Sequence, residues 1–450
     1  MKKYNVYFVI LFLSCFTLSC KKQLDAKPDQ KLATIEKLSD LQAILDYDPN
    51  MVIDMANIES SADNYYITDA DYDALSDGNN RRIYTWYPDH LFTGAFSDWG
   101  NAYRKIYYAN TVLDALQEME INPGEAATRD NIQGQALFIR GMMFWKIANA
   151  WAPAYNEATS GTDMGIPLRL SADFNERSVR ASVTDSYMQA IADLRLSASL
   201  LPIQPWQVVR GSRPAAFAFL SRVYLSMRQY DAAGRYADSC LQLYNKLVDY
   251  NTLNPGDAYP IARFNDETLV YSYTGPTLIT TPVGKVDSLL YQSYDNTDLR
   301  KTVFFKDNGA GRFGFKGSYS NSQGFFAGVA TDEVYLNRAE CYARSGNIPA
   351  ALADLNTLLQ KRYKTGQFIP VTATSSAAAL AKILIERRKE LLFRFIRWMD
   401  LKRFNLEGAN ITLTRVVHGT VYTLSPNDLR YALPIPEDII ALTGMPQNPR

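Results

Sequence analysis

The chain has 450 residues, 47% hydrophobic and 21% charged, and its 47 basic side chains balance 47 acidic ones. That composition excludes an intrinsically disordered chain, and the absence of a basic excess argues against a nucleic-acid partner. With four cysteines in the whole sequence, no disulfide framework holds the fold, and core burial must do so. The N-terminus comes first in chain order. Lys2 and Lys3 precede an apolar run from Val6 to Leu18, interrupted only by Ser14 and Thr17. The run is too short to span a bilayer, which takes about 20 residues, and fits the apolar region of a signal peptide. Leu18-Ser19-Cys20 then reads as a lipobox, with residues 1–19 removed and Cys20 becoming the acylated first residue. Two or three acyl chains on one sulfur anchor a protein durably. Cys15 ends a rival Leu-Ser-Cys run; Cys20 is preferred because it leaves an apolar region of full length.

Residues 20–33 read as a polar, Pro-broken tether. From Thr34 to Leu45, Ile35, Leu38, Leu41, Ile44 and Leu45 recur at helical spacing. Residues 46–98 are irregular and rich in Asp, Asn, Tyr and Gly. Tyr103, Ile106, Val112, Leu113 and Leu116 then mark a helix stopped at Asn122-Pro123-Gly124. Helices are expected over 133–148, 183–201, 214–227 and 231–247. Residues 250–328 break the pattern, with β-like runs at 268–273 and 302–305. Helices resume over 331–344 and 348–362, and 377–403 reads as the longest helix of all. The tail from Leu433 is extended and Pro-rich.

Two helical hairpins share one internal pattern. Leu220, Ser221, Tyr224, Tyr230, Ala233 and Ala237 occupy tetratricopeptide-like positions in the first, and Tyr335, Ala339, Tyr342, Gly346, Ala351 and Leu355 in the second. Small residues let paired helices approach closely, and the aromatics fill the remaining gaps. The expected fold class is mainly α: a tetratricopeptide-like hairpin scaffold over about 99–250 and 331–405, with loop-rich insertions and a few short strands. Cys240 and Cys341 fall at apolar helix positions and read as two buried thiols.

Catalytic patterns are scarce. Two histidines, His90 and His418, cannot build a His-rich metal site, and no zincin, nucleophile-elbow or Walker sequence is present. Gly309-Ala310-Gly311-Arg312-Phe313-Gly314 matches a dinucleotide fingerprint but is followed by Lys316-Gly317-Ser318-Tyr319, which is no helix, so it reads as a surface loop. No cofactor or metal is implied, and no carboxylate pair is singled out by spacing. The positive signal is aromatic: 29 Tyr, 21 Phe and 6 Trp. Rings beside Asp, Asn and Arg in the two irregular segments suit a sugar, whose C–H face packs on the ring while polar neighbours bond its hydroxyls. Asp63, Tyr65, Arg82, Trp86, Tyr291 and Tyr319 are the candidate ligand-binding residues on this ground. For any one such ring, a role in pinning its loop to the scaffold competes with ligand contact.

Ordered blocks along the mature chain resemble the SusD/RagB family. Trp99, Tyr103, Ile106 and Asn110 resemble one of its helices; Gly165-Ile166-Pro167-Leu168 is similar to its G-I-P-L turn. Asn337-Arg338-Ala339-Glu340 with Gly346-Asn347 and Asp354-Leu355-Asn356, Glu386-Arg387-Arg388-Lys389-Glu390-Leu391 with Arg397-Trp398-Met399-Asp400-Leu401-Lys402-Arg403, and Leu433-Pro434-Ile435-Pro436 with Gln447-Asn448-Pro449 resemble its C-terminal half. Phe393-Arg394-Phe395 stands where the family has Phe-Glu-Gly. On the predicted long helix, Glu390 with Arg394, Arg397 with Asp400 and Asp400 with Arg403 are spaced as exposed ion pairs. The resemblance implies one SusD-like domain over 34–450 with ligand-facing loops near 46–98 and 250–328. It also implies no catalysis and a lipid-anchored position on the outer membrane, facing outward. The implied role is capture of an oligosaccharide or peptide for a SusC-like TonB-dependent transporter. A surface glycoside hydrolase and a non-binding transporter assembly factor are the competing functions.

Overall fold

Helices begin where a side chain caps the first free amides and an apolar stripe finds a partner. The computed structural model of the chain describes residues 35–47, 50–76, 78–92 and 97–450. The leader at 1–19, Cys20 and the tether at 20–33 lie outside the described residues. Helix α1 (Leu38–Leu45) lays Leu38, Leu41 and Leu45 on Ala109, Val112 and Leu113. The first irregular segment carries α2 (Asn57–Ser61), β1 (Tyr65–Tyr66), α3 (Asp69–Ala74) and α4 (Gly78–Tyr84). Helix α5 (Asp98–Glu118) is capped by Ser97, whose Oγ accepts from the Gly100 amide. Helix α6 (Ala126–Trp151) starts seven residues before the expected Gln133, because its first turn is solvent-exposed and carries no apolar stripe to read. Strands β2 (Met164–Pro167) and β3 (Arg180–Ser182) pair and lead into α7 (Val183–Leu200), capped by Ser182. The hairpin α8 (Arg213–Ser226) and α9 (Tyr230–Leu243) follows.

The second irregular segment holds β4 (Thr268–Val270), β5 (Tyr273–Thr274), β6 (Lys285–Val286), α10 (Ser288–Gln292), α11 (Arg300–Val303), β7 (Phe305–Asp307), β8 (Phe313–Phe315), β9 (Phe325–Phe326) and β10 (Val329–Ala330). The glycine-rich stretch at 309–314 is the exposed turn of the β7–β8 hairpin and its first β8 residues, with Gly309 and Gly311 at φ +80° and +69°. Helices α12 (Thr331–Arg344) and α13 (Ile348–Gln360) form the second scaffold hairpin, followed by α14 (Ser376–Glu390), α15 (Arg397–Leu406), the hairpin β11 (Leu413–Val417) with β12 (Thr420–Leu424), and α16 (Glu437–Thr443). Helix α9 packs on α12, so the two hairpins stack. Ser221, Ala233, Ala339 and Ala351 are all fully buried where the helices meet. Gly234 allows the closest approach, since a Cβ there would lie 3.0 Å from that of Cys341. Cys240 and Cys341 are free and buried, as expected. One apolar core runs from Met55 to Met445, and among the described residues no helix is long and apolar enough to cross a membrane.

The expected helix over 377–403 is two helices. Between α14 and α15 the backbone turns through Phe393 and Phe395 at φ +55° and +60°. A left-handed conformation costs a non-glycine residue roughly 1–2 kcal/mol, which packing must offset. Both rings are buried, and Arg394 between them is turned inward onto Asp332 at 3.0 Å. The break also overturns the expected ion pairs. Glu390 bonds Arg362 at 2.7 Å and Arg300 at 2.9 Å rather than Arg394, and Arg397 reaches Asp63 at 2.7 Å rather than Asp400. Only Asp400–Arg403 forms as expected, at 2.8 Å, and it is buried rather than exposed.

These pairs belong to a wider buried network. Arg362 joins Glu390 to Glu267 at 2.7 Å, and Arg300 joins Glu390 to Asp298 at 2.7 Å. Tyr319 donates to Glu267 and lies 3.1 Å from Asp332. Glu267, Asp332 and Glu390 bring ligand oxygens within 4.8 Å of one another, but guanidinium groups already balance their charge. Arg403 grips Glu340, and Arg387 bonds Asp400 at 2.9 Å. One buried carboxylate, Glu59, lies 3.1 Å from the Asn64 amide nitrogen and forms no ion pair with a described residue. Burial, reinforced by the neighbouring Asp63 charge, raises its pKa from the ordinary 4.5 to about 7 despite the Asn64 bond.

Two predictions follow from these groups. Replacing Arg362 by Met leaves Glu267 buried without its cation and is expected to cost about 3–5 kcal/mol in urea unfolding, whereas Lys361→Met, at the exposed pair with Asp249, costs about 1 kcal/mol or less. Equal losses for the two would contradict the network's role. Glu59 holds its proton more tightly folded than unfolded, so its contribution is intact below pH 4.5 and declines as pH rises towards 7. The decline amounts to about 3 kcal/mol. Urea midpoints across this range should fall more steeply with pH for the native chain than for Glu59→Gln, and parallel profiles would refute the assignment.

Candidate binding face

The two irregular segments, far apart in sequence, form one layer. Tyr65 pairs with Val286 and Tyr66 with Lys285, antiparallel, and the Asp287 amide extends the pairing to the Asn64 carbonyl at 2.9 Å. Beside it, the Asp54 amide donates to the Tyr273 carbonyl at 2.7 Å, and the Tyr273 amide to that of Val52 at 3.0 Å. Asp54 accepts from Ser272 and from Lys146 of α6, so a scaffold ammonium ties both segments down. Burial alone would raise the Asp54 pKa, but Lys146 and Lys105 hold it at about 2.

Next to this junction lies a cavity of about 260 Å³ bordered by Asp63, Tyr65, Tyr66, Trp86, Asp287 and Arg415. Arg415 forms its base. Its guanidinium carbon lies 5.0 Å from the Tyr65 ring centre, 4.2 Å from Tyr84 and 4.5 Å from Trp86. It donates to the carbonyls of Ser60, Ala62 and Tyr84. Asp63 borders the cavity as well. Its two oxygens receive Arg397 Nε at 2.7 Å and Nη2 at 2.8 Å, a bidentate pair, and Arg388 approaches at 3.3 Å. Burial works against this carboxylate, but the two guanidinium groups keep its pKa well below the usual range. Arg388 and Arg397, which hold Asp63, also border a larger groove of about 820 Å³, together with Leu289, Ser293, Ile385 and Ile411. Leu289 and Ile385 expose 76% and 57% of their surface there, and the Arg388 side chain 30%. The arrangement offers apolar surface beside fixed cations and hydroxyls.

Of the six residues singled out from sequence, Asp63, Tyr65 and Trp86 meet at the small cavity. Tyr65 and Trp86 are 4% exposed, because they pack on Arg415 and donate to the carbonyls of Ser60 and Ser61. Their rings shape the cavity and have little face left to offer. Tyr291 sits on α10, which borders the groove through Leu289 and Leu290, but Tyr291 itself borders neither cavity. One face of its half-buried ring stacks on Phe313 at 3.6 Å, and Lys301 Nζ lies 5.5 Å from its centre. Arg82 lies apart, holding the His90 carbonyl at 2.6 Å. Tyr319 is also apart: at 1% exposure, with its hydroxyl in the ion network, it is a structural ring with no face for a ligand. Sequence reading missed Arg415, Arg388 and Arg397 as site residues. Arg415 had one available signal, the alternation of buried Leu413, Arg415 and Val417 along a strand.

Comparison with known proteins agrees with this architecture. Residues 22–225 match a family model described as starch-binding and associating with the outer membrane, and residues 331–449 match that of the SusD family. No curated protein matches the sequence. Among solved structures, a SusD superfamily protein from Bacteroides thetaiotaomicron is 22% identical with a TM-score of 0.73, over 92% of this chain and 100% of that one. A SusD-like carbohydrate binding protein from Bacteroides vulgatus is 20% identical, with a TM-score of 0.68 over 91% of this chain and 96% of its own. A laminarin-binding SusD-like protein is 18% identical, with a TM-score of 0.64 over 91% of this chain and 98% of its own. With residues 22–225 and 331–449 matched by SusD models and its fold shared with SusD structures, the chain belongs to the SusD/RagB family.

Proposed function

We propose that the protein is a lipid-anchored, cell-surface nutrient-binding protein that captures an oligosaccharide and delivers it to a SusC-like TonB-dependent outer-membrane transporter. The observation that carries the reading is the β1–β6 pairing. It brings Tyr65, Tyr66 and Asp63 of one segment and Asp287 of the other to one cavity, on a family scaffold described as starch-binding. Carbohydrate binding in two structural relatives points the same way. Recognition of this kind needs binding and release and no chemical step. Ring faces and apolar side chains take the sugar's C–H surface, and Arg388 and the Asp287 carboxylate take its hydroxyls. Acyl chains on Cys20, in the segment outside the described residues, supply the anchor.

Calorimetric titration of the mature protein with maltose-, laminari- and other oligosaccharides, and with peptides as controls, is expected to find a sugar ligand. Tyr66→Ala should lower its affinity about threefold to tenfold, the worth of one ring contact. A panel in which nothing binds at millimolar concentration, or in which peptides alone bind, would overturn the carbohydrate reading. In cells, Cys20→Ala should move the protein from the membrane to the soluble fraction, and the native chain should co-purify with an outer-membrane barrel. Membrane retention of the variant would sink the anchor.

A further inference from the structure

A second pocket lies away from this face, between the loop after α6, helix α15 and the C-terminal tail. Its volume is about 410 Å³, within the roughly 300–1,000 Å³ of small-molecule sites. Asn156, Thr162, Asn427, Leu429, Tyr431 and Lys402 border it, with two carboxylates: Asp163, which accepts from the Thr159 hydroxyl at 2.6 Å, and Asp428, which is paired with Arg430 at 2.8 Å. Amides, hydroxyls and carboxylates beside an aromatic and an aliphatic side chain suit a polyhydroxylated ring. Lys402 is the unusual member. It is 5% exposed, and its Nζ donates to the carbonyls of Asn149 and Ala152, both at 2.7 Å. These carbonyls belong to the C-terminal end of α6, where the helix dipole favours a cation.

That cap uses two of the ammonium's three donors and supplies no full negative charge. The other buried lysines differ. Lys146, Lys285 and Lys389 each touch a carboxylate, and Lys105 lies in the field of Asp54. Among the described residues, Lys402 is the one buried lysine without an acidic side chain acting on it. Desolvation alone bears on it and pushes its pKa down to about 7. Neither lining carboxylate acts on Lys402, so a ligand's carboxylate would supply the counter-charge that lets this buried lysine keep its proton.

We propose that this pocket is a second binding site, which takes the carboxylate-bearing ring of an acidic sugar, with Lys402 pairing the carboxylate and the surrounding amides and hydroxyls bonding the ring. Calorimetry of the mature protein with glucuronate, and with glucose as its neutral counterpart, tests this. Glucuronate is expected to bind at least tenfold more tightly than glucose. Lys402→Met should abolish that preference. Because Lys402 also caps α6, a second variant guards against simple unfolding: Thr162 is exposed at the rim, and Thr162→Trp should fill the pocket and remove glucuronate binding while leaving the melting temperature unchanged. Equal affinity for the two sugars, unaltered binding by Thr162→Trp, or tighter binding of an N-acetylated dipeptide carboxylate than of glucuronate would each overturn the proposal. Binding of neutral oligosaccharides that responds to Tyr66→Ala and not to Thr162→Trp belongs to the other face. It would leave that reading standing even if this one failed.

Discussion

Guanidinium groups removed from water tolerate little imprecision. Each has five donors in a fixed plane, and an unmatched charge in the interior is severely destabilising. Here such groups sit at the seams between scaffold and irregular segments. Arg362 and Arg300 meet on Glu390 at the end of α14, Arg394 reaches Asp332 at the start of α12, and Arg397 and Arg388 take Asp63 from the first segment. The segments therefore have one way to sit on the helices. Loops that lack regular secondary structure gain a defined position from ion geometry instead.

The same seams explain why the C-terminal blocks identify the family without marking a site. Two buried clusters hold these blocks: Arg387 joins Asn337 to Asp400 and Arg403 joins Asp400 to Glu340 in one, and Arg362 joins Glu390 to Glu267 in the other. Their job is positional. Residues that face solvent in the groove, such as Leu289 and Ile385, are under no such constraint. A scaffold of this kind can keep its joints and exchange its recognition surface.

Much of the helical scaffold was legible because periodic apolar residues and caps are local signals. Both tetratricopeptide-like hairpins and the boundaries of α7, α8 and α12 follow from them. The break between α14 and α15 was not, since Phe-Arg-Phe contains no breaker; the turn is imposed by burial of the two rings and by Asp332, 62 residues before Arg394. The candidate site was legible only in part. Composition pointed to Asp63, Tyr65 and Trp86, and the structure does gather them. It could not foresee that Arg415, contributed by a strand some 330 residues away, would occupy the faces of those rings. Tyr319 misled for the same reason: nothing local tells a ring held by distant carboxylates from one offered to a ligand.

The bond between Asp63 and Arg397 spans 334 positions. During synthesis the first 200 residues can complete α5 to α7 on their own contacts, but the carboxylate at position 63 has no counter-charge until almost the entire polypeptide has emerged. Contacts of such separation are slow to form, because chain entropy is lost well before they repay it. The recognition layer is therefore the last part of the molecule to acquire its shape. A nascent or truncated chain can look helical by circular dichroism and still be unable to hold anything.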